Sequence, residues 1–140
     1  MRILGIDFGE KRIGLALSDP LGFTAQGLET LQRQNLKQVL AHIAEIVKKD
    51  GVGGILIGLP VNMDGTHGFK AEETLKFVRQ LETFVEVPVK TWDERLTSRE
   101  ANRRMVEGGL SRKKQKEKSD RMAATLILQN YLEFCRPRGI

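Results

Sequence analysis

The chain has 140 residues, one cysteine, and 23 Lys and Arg against 18 Asp and Glu, for a net charge of +5. That length suits one domain able to bury roughly two-thirds of its unfolded surface without staples, and it disfavours folds that need two such domains around a cleft. The lone Cys135 excludes an internal disulfide, no apolar run reaches the roughly 20 residues of a bilayer span, and Met1-Arg2-Ile3 enters a strand with no signal-peptide core, so a soluble cytoplasmic protein with no membrane partner is expected.

Residues 2 to 7 and 11 to 18 read as paired strands. Asp7 closes the first apolar run (Ile3, Leu4, Gly5, Ile6), Gly9 is suited to a positive φ in the turn, and Gly14 and Ala16 keep the returning strand slim. Residues 23 to 31 form a less regular third strand, so the chain opens as an antiparallel meander. Asn35 and Gln38 form a capping box before Leu36, Val39, Leu40, Ile43, Ile46 and Val47, whose spacing marks one face of a helix. Val52 to Gly58 is a short apolar run of the kind buried on both faces in a parallel strand. The polar loop from Leu59 to Gly68 leads to a second helix carrying Ala71, Leu75, Val78 and Leu81.

Pro88 opens another strand (Val87, Val89, Thr91) that delivers Trp92-Asp93-Glu94-Arg95, after which Thr97 and Glu100 cap a helix ending near Gly108-Gly109. The glycine- and lysine-rich stretch at about 108–119 is expected to be a mobile basic loop. Ser119 then caps a final helix with Ala123, Leu126, Ile127, Tyr131 and Phe134 inward and Asp120 in its first turn. Neither an internal repeat nor a second domain is visible, so residues 1–140 read as a single domain.

A three-strand meander followed by alternating helix and strand is the order of the ribonuclease H-like α/β fold, a five-stranded mixed sheet in the order 3-2-1-4-5 flanked by helices. The ends of strands one, four and five gather along one edge, where open α/β sheets bind ligands. Three acids fall at that edge: Asp7, then Glu94 with Asp93 as its alternative, and Asp120. Converging carboxylates repel unless cations neutralise them, and hard oxygen ligands suit Mg²⁺ or Mn²⁺. Two such ions about 4 Å apart can activate a water and stabilise the leaving oxygen of a phosphodiester. Duller roles compete: Asp120 complements a helix dipole, Asp93 pairs with a neighbouring Arg, and Asp64 reads as an Asp-Gly turn former.

The positive charge is local. Residues 95–121 hold ten Lys and Arg against four acids, a charge of +6, whereas the rest of the chain has 13 against 14. Such a cluster suits a polyanion whose binding is dominated by phosphate contacts. The candidate nucleic-acid contacts are Lys11, Arg12, Asn62, Arg95, Arg99, Arg112, Lys113, Lys114 and Lys116. His42 and His67 lack the spacing of a zinc pair, Cys135 and Trp92 read as structural, and Gly51, Gly53 and Gly54 lack the ending of a phosphate-binding P-loop.

Four motifs in order, Gly5-Ile6-Asp7-Phe8-Gly9 with Arg12-Ile13-Gly14, Gly58-Leu59-Pro60 with Asn62-Met63-Asp64-Gly65-Thr66, Asp93-Glu94-Arg95-Leu96-Thr97-Ser98, and Asp120 with Ala123-Ala124, resemble the YqgF (RuvX) family across nearly the whole chain. The resemblance implies a ribonuclease H-like nuclease that matures the 5′ end of 16S ribosomal RNA from its precursor, in a family also described as Holliday junction resolvases. It implies Asp7, Glu94 and Asp120 as the catalytic acids and metal ligands, with the Gly-Leu-Pro loop beside them. One departure stands out: related junction resolvases carry an acid at the end of strand four, where this chain has Leu59-Pro60.

The reading that results is a Mg²⁺- or Mn²⁺-dependent endonuclease acting on precursor rRNA, with the ribosomal particle as a partner, as a monomer or weak homodimer. The alternatives are a junction resolvase acting on branched DNA, which needs a dimer, and a non-catalytic nucleic-acid-binding factor in ribosome assembly or transcription.

Overall fold

The computed structural model describes residues 1–62, 64–94 and 112–135, with side chains in the last helix from residue 122 onward. The elements are β1 (Arg2–Phe8), β2 (Arg12–Ser18), β3 (Ala25–Gln32), α1 (Leu36–Lys49), β4 (Val52–Leu59), α2 (Phe69–Glu82), β5 (Val89–Asp93) and α3 (Arg112–Cys135). The sheet order is β3-β2-β1-β4-β5, with β2 antiparallel to β1 and β3, and β4 parallel to β1 and β5. This is the mixed ribonuclease H-like arrangement that the order of elements implies.

Strand alternation divides the side chains between two layers. Leu4, Ile6, Ile13, Leu15, Ile55 and Ile57 face α1 and α2 and pack with Val39, Leu40, Ile43, Phe77 and Leu81. On the opposite face, Ala16 and Leu56 pack with Ala124, Ile127, Leu128 and Leu132 of α3. The capping of α1 follows the sequence reading: the Asn35 side chain accepts a bond from the Gln38 amide at 3.2 Å. Gly51, at φ +63°, supplies the left-handed turn from α1 into β4.

Three local expectations are corrected. Helix α3 begins at Arg112 rather than Ser119, so residues 112–119 are helical and not a loop. Arg, Lys, Gln and Glu are strong helix formers, and a low apolar content does not by itself unfold a segment that continues a packed helix. The inward residues of α3 are Ala124, Ile127, Leu128 and Leu132, whereas Phe134 is 61 % exposed, because the nearly continuous apolar run Ala123–Leu128 leaves the helical phase ambiguous. Gly9 does not take a positive φ; the turn closes instead through its amide, which donates to the carbonyl oxygen of Arg12 at 3.0 Å. The helix expected between Thr97 and Gly109 lies outside the described residues. Among the described residues, no helix is long and apolar enough to cross a membrane.

Candidate active site

Asp7 sits near the end of β1, on the face covered by α3. Its strand neighbours locate it: Ile6 pairs with Ile57, so Asp7 lies beside Gly58 on β4, and Gly58 in turn pairs with Trp92 on β5. Trp92 faces α3, packing edge-on against Tyr131 and Phe134 at 5.6 and 5.5 Å between ring centroids. Two residues on, Glu94 returns to the same face, and its carboxyl group hydrogen-bonds that of Asp7. Asp93, which pairs with Leu59, falls on the other side of the alternation. Of the two acids that the sequence leaves open, Glu94 is the one that reaches Asp7.

Burial of Asp7, then the hydrogen bond with Glu94, then the charge of that neighbour push the Asp7 carboxyl up from 3.8 to about 8. Burial and the neighbouring carboxyl thus favour the protonated form of Asp7 near neutral pH. Two carboxylates held this close share either a proton or a cation.

The backbone of α3 locates position 120 relative to Asp7. Ala124 and Leu128 lie over Gly5: a Cβ built there would stand 2.9 Å from Leu128 Cβ and 3.3 Å from the Ala124 carbonyl oxygen. Gln129, one turn further, accepts from the Ala25 amide, at the level where Ser18 accepts from the Ile3 amide. Moving toward the start of α3 thus moves along β1 toward Asp7. Asp7 is two strand residues, roughly 6.6 Å, beyond Gly5, and position 120 is four helical residues, roughly 6 Å, before Ala124. Position 120 consequently lies level with Asp7, on the helix stripe that contains Ala124, Ile127 and Leu128. Among the described residues no cluster of three or more His, Cys, Asp or Glu side chains is assembled; the acids described at the site are Asp7 and Glu94.

The turn after Asp7 is clamped from the α2 side. Arg33 donates to the Gly9 carbonyl oxygen at 3.0 Å and to Glu73 at 3.2 Å, and its guanidinium lies 4.1 Å above the Phe8 ring, which itself stacks on Phe77 at 4.3 Å. Lys70 of α2 pairs with Glu10 in the same turn at 3.0 Å. Arg33 is distant from the motifs in sequence, and the one signal of this group in the chain is an aromatic, Phe8, beside the key acid.

The other candidates are placed as follows. Lys11 is exposed in the β1–β2 turn and Arg12 is half-buried at the start of β2. Asn62 is exposed, but its side chain donates to Thr66 Oγ1 at 3.1 Å, and Asp64 accepts from the Thr66 amide and hydroxyl at 3.0 and 2.6 Å. Asp64 is a turn former, as its Asp-Gly setting suggests, and Asn62 is bound into the loop that it shapes. Arg112, Lys113, Lys114 and Lys116 belong to the first turns of α3, and Arg95 and Arg99 lie outside the described residues. His42 pairs with Glu29 at 2.6 Å on the surface, away from the acids.

A model of the RuvX family, described as Holliday junction resolvase, matches residues 1–134. The chain belongs to the RuvX family. Members of similar sequence include one from Clostridium acetobutylicum, 54 % identical over 132 residues, 94 % of this chain and 98 % of the relative. Another from Moorella thermoacetica is 48 % identical over 140 residues and the full length of both. Both carry the name "Putative pre-16S rRNA nuclease". Among solved structures, fowlpox virus resolvase bound to Holliday junction DNA aligns with a TM-score of 0.60 at 13 % identity, over 98 % of this chain and 100 % of the viral one. RuvC of T. thermophilus with its junction substrate aligns at 0.56 and 16 % identity, over 96 % and 94 %. At such identities the likeness is one of fold, and it agrees with the 3-2-1-4-5 sheet.

Proposed function

We propose that the protein is a divalent-metal-dependent endonuclease that hydrolyses phosphodiester bonds in the 5′ leader of precursor 16S rRNA. The observation that carries this reading is the hydrogen-bonded pair of Asp7 and Glu94, brought together from β1 and β5 at the strand ends. The names of the full-length relatives supply the substrate class.

The acid pair suits Mg²⁺ or Mn²⁺: it offers hard oxygen donors, and the proton it shares occupies the place where a cation relieves the same repulsion. Asp7 and Glu94 would hold the ion, with Asp120 as the third ligand from the start of α3. When bound, the metal supplies an activated water and neutralises charge on the scissile phosphate. The chain's own contribution is to align the carboxylates: Arg33 fixes the turn after Asp7, and the sheet fixes Glu94 against it. Lys11, Arg12, Asn62, Arg95, Arg99, Arg112, Lys113, Lys114 and Lys116 are the side chains we assign to the substrate's phosphates.

A second reading, cleavage of branched DNA, is favoured by the family description itself. Both are tested together by incubating end-labelled precursor 16S rRNA leader and a four-way DNA junction with Mg²⁺, Mn²⁺ or EDTA. Cutting of the RNA alone, abolished by EDTA and by Asp7→Asn, is the expected result. Cutting of the junction alone moves the substrate to DNA, and binding without cleavage of either overturns the enzymatic reading.

A further inference from the structure

The acid on β5 is separated from the acid on β1 by an entire strand. β4 lies between them and offers no carboxylate of its own there: its last residues are Gly58 and Leu59, followed by Pro60. For Glu94 to meet Asp7, its side chain has to cross β4, and the crossing point is Gly58. A Cβ built on Gly58 would stand 2.5 Å from Glu94 Oε1, 2.9 Å from Glu94 Cγ and 2.5 Å from Ile127 Cδ1. Real Cβ contacts do not approach so closely. The space above this glycine is therefore already filled by two side chains, the Glu94 carboxylate and the tip of Ile127. Gly58 has an ordinary φ, so no demand of the backbone explains its identity; the room over its Cα does.

We infer that Gly58 is a positioning residue, a window in β4 through which Glu94 reaches across the sheet to Asp7. This inference rests on the proposed role of the acid pair and adds the reason why an acid from β5 can serve at a site where β4 carries none. Any side chain at position 58 displaces the Glu94 carboxylate, lifts Ile127, or does both.

The two effects are separated with relief variants. Ile127→Ala removes the apolar half of the clash, so Gly58→Ala/Ile127→Ala is compared with Ile127→Ala alone in the RNA cleavage assay. The expected result is at least a tenfold loss of cleavage, whereas in an Ile127→Ala/Glu94→Gln background the same Gly58→Ala change costs less than a further threefold, because a residue acting through Glu94 is not additive with its removal. A second readout needs neither metal nor substrate. Gly58→Ala is expected to lower the Tm of the metal-free protein by 5 °C or more, but by less than half as much in a Glu94→Ala/Ile127→Ala background, where the space is empty; should Gly58→Ala alone not fold, the relief backgrounds carry the comparison. Cleavage by Gly58→Ala/Ile127→Ala within twofold of Ile127→Ala overturns the inference, while loss of cleavage in Glu94→Gln keeps the proposed function standing. Full cleavage by Glu94→Gln, or none by the native chain, overturns the function, and the thermal comparison then decides the window alone: equal destabilisation in both backgrounds refutes it.

Discussion

On the face covered by α1 and α2, β1 presents Leu4, Ile6 and Phe8; on the face covered by α3, the same strand presents Ile3, Gly5 and Asp7. β4 repeats the contrast, with Ile55 and Ile57 on one side and Leu56 and Gly58 on the other. The first face is filled with branched apolar side chains and works by burial. The second is built from glycines and small residues that let a helix and an acid approach the sheet backbone closely. One set of strands thus serves stability and chemistry at once, because successive residues point to opposite sides. Substitutions on the α1–α2 face should register in stability, and those at the strand ends of the α3 face in activity.

The most severe way to break the chemical face is Asp7→Asn. It keeps the shape and the hydrogen bond to Glu94 but removes the negative charge needed for a cation. We expect cleavage to fall at least about 100-fold, roughly 2.7 kcal/mol of activation free energy, with the circular dichroism spectrum unchanged. A single-turnover cleavage assay measures it, and retention of more than a tenth of the native rate counts against the role of Asp7.

The same substitution sharpens the comparison by raising stability. Because the folded-state pKa of Asp7 is raised from 3.8 to about 8, the native state binds more protons than the unfolded chain across that window, and this contribution is fully present below 3.8 and lost as pH rises through about 8. The metal-free native chain should therefore lose thermal stability between pH 5 and 8, and Asp7→Asn should flatten the loss, melting several degrees above the native chain at pH 8. Parallel melting curves of the two chains over that range, without slope difference, contradict the assignment.

A smaller effect is expected from the clamp between the faces. Arg33→Ala removes two hydrogen bonds and a cation–π contact, for about 1–2 kcal/mol of stability in urea unfolding. Cleavage should fall a few-fold, since the turn after Asp7 loosens while its carboxyl group remains. Smallest of all is His42→Ala: its pairing with Glu29 is exposed, so screening limits the change to below about 0.5 kcal/mol, and cleavage should not move.

Much of this arrangement is legible in the chain before any coordinates. The meander, the capping box at Asn35 and the apolar run of β4 define the sheet order because periodicity and capping are local signals. Asp7 stands out because it ends an apolar run. What the chain conceals depends on contacts between distant residues. Gly58 reads as part of a Gly-Leu-Pro motif, and only the neighbouring strands reveal that its missing side chain is room for Glu94. The choice of Glu94 over Asp93 was within reach: a Trp92 taken as core already carries residue 94, not 93, to its own face. The start of α3 is not legible because lysine-rich segments read equally as solvated loop or as helix, and the packing of the helix against the sheet decides between them.

The most direct test of the division between faces is a side-by-side cleavage measurement of Glu94→Gln and Asp93→Asn, at saturating Mg²⁺ on the precursor rRNA leader. The account predicts that Glu94→Gln loses at least about 100-fold while Asp93→Asn keeps a third or more of the native rate. The reverse order, with Asp93 essential and Glu94 dispensable, would contradict it.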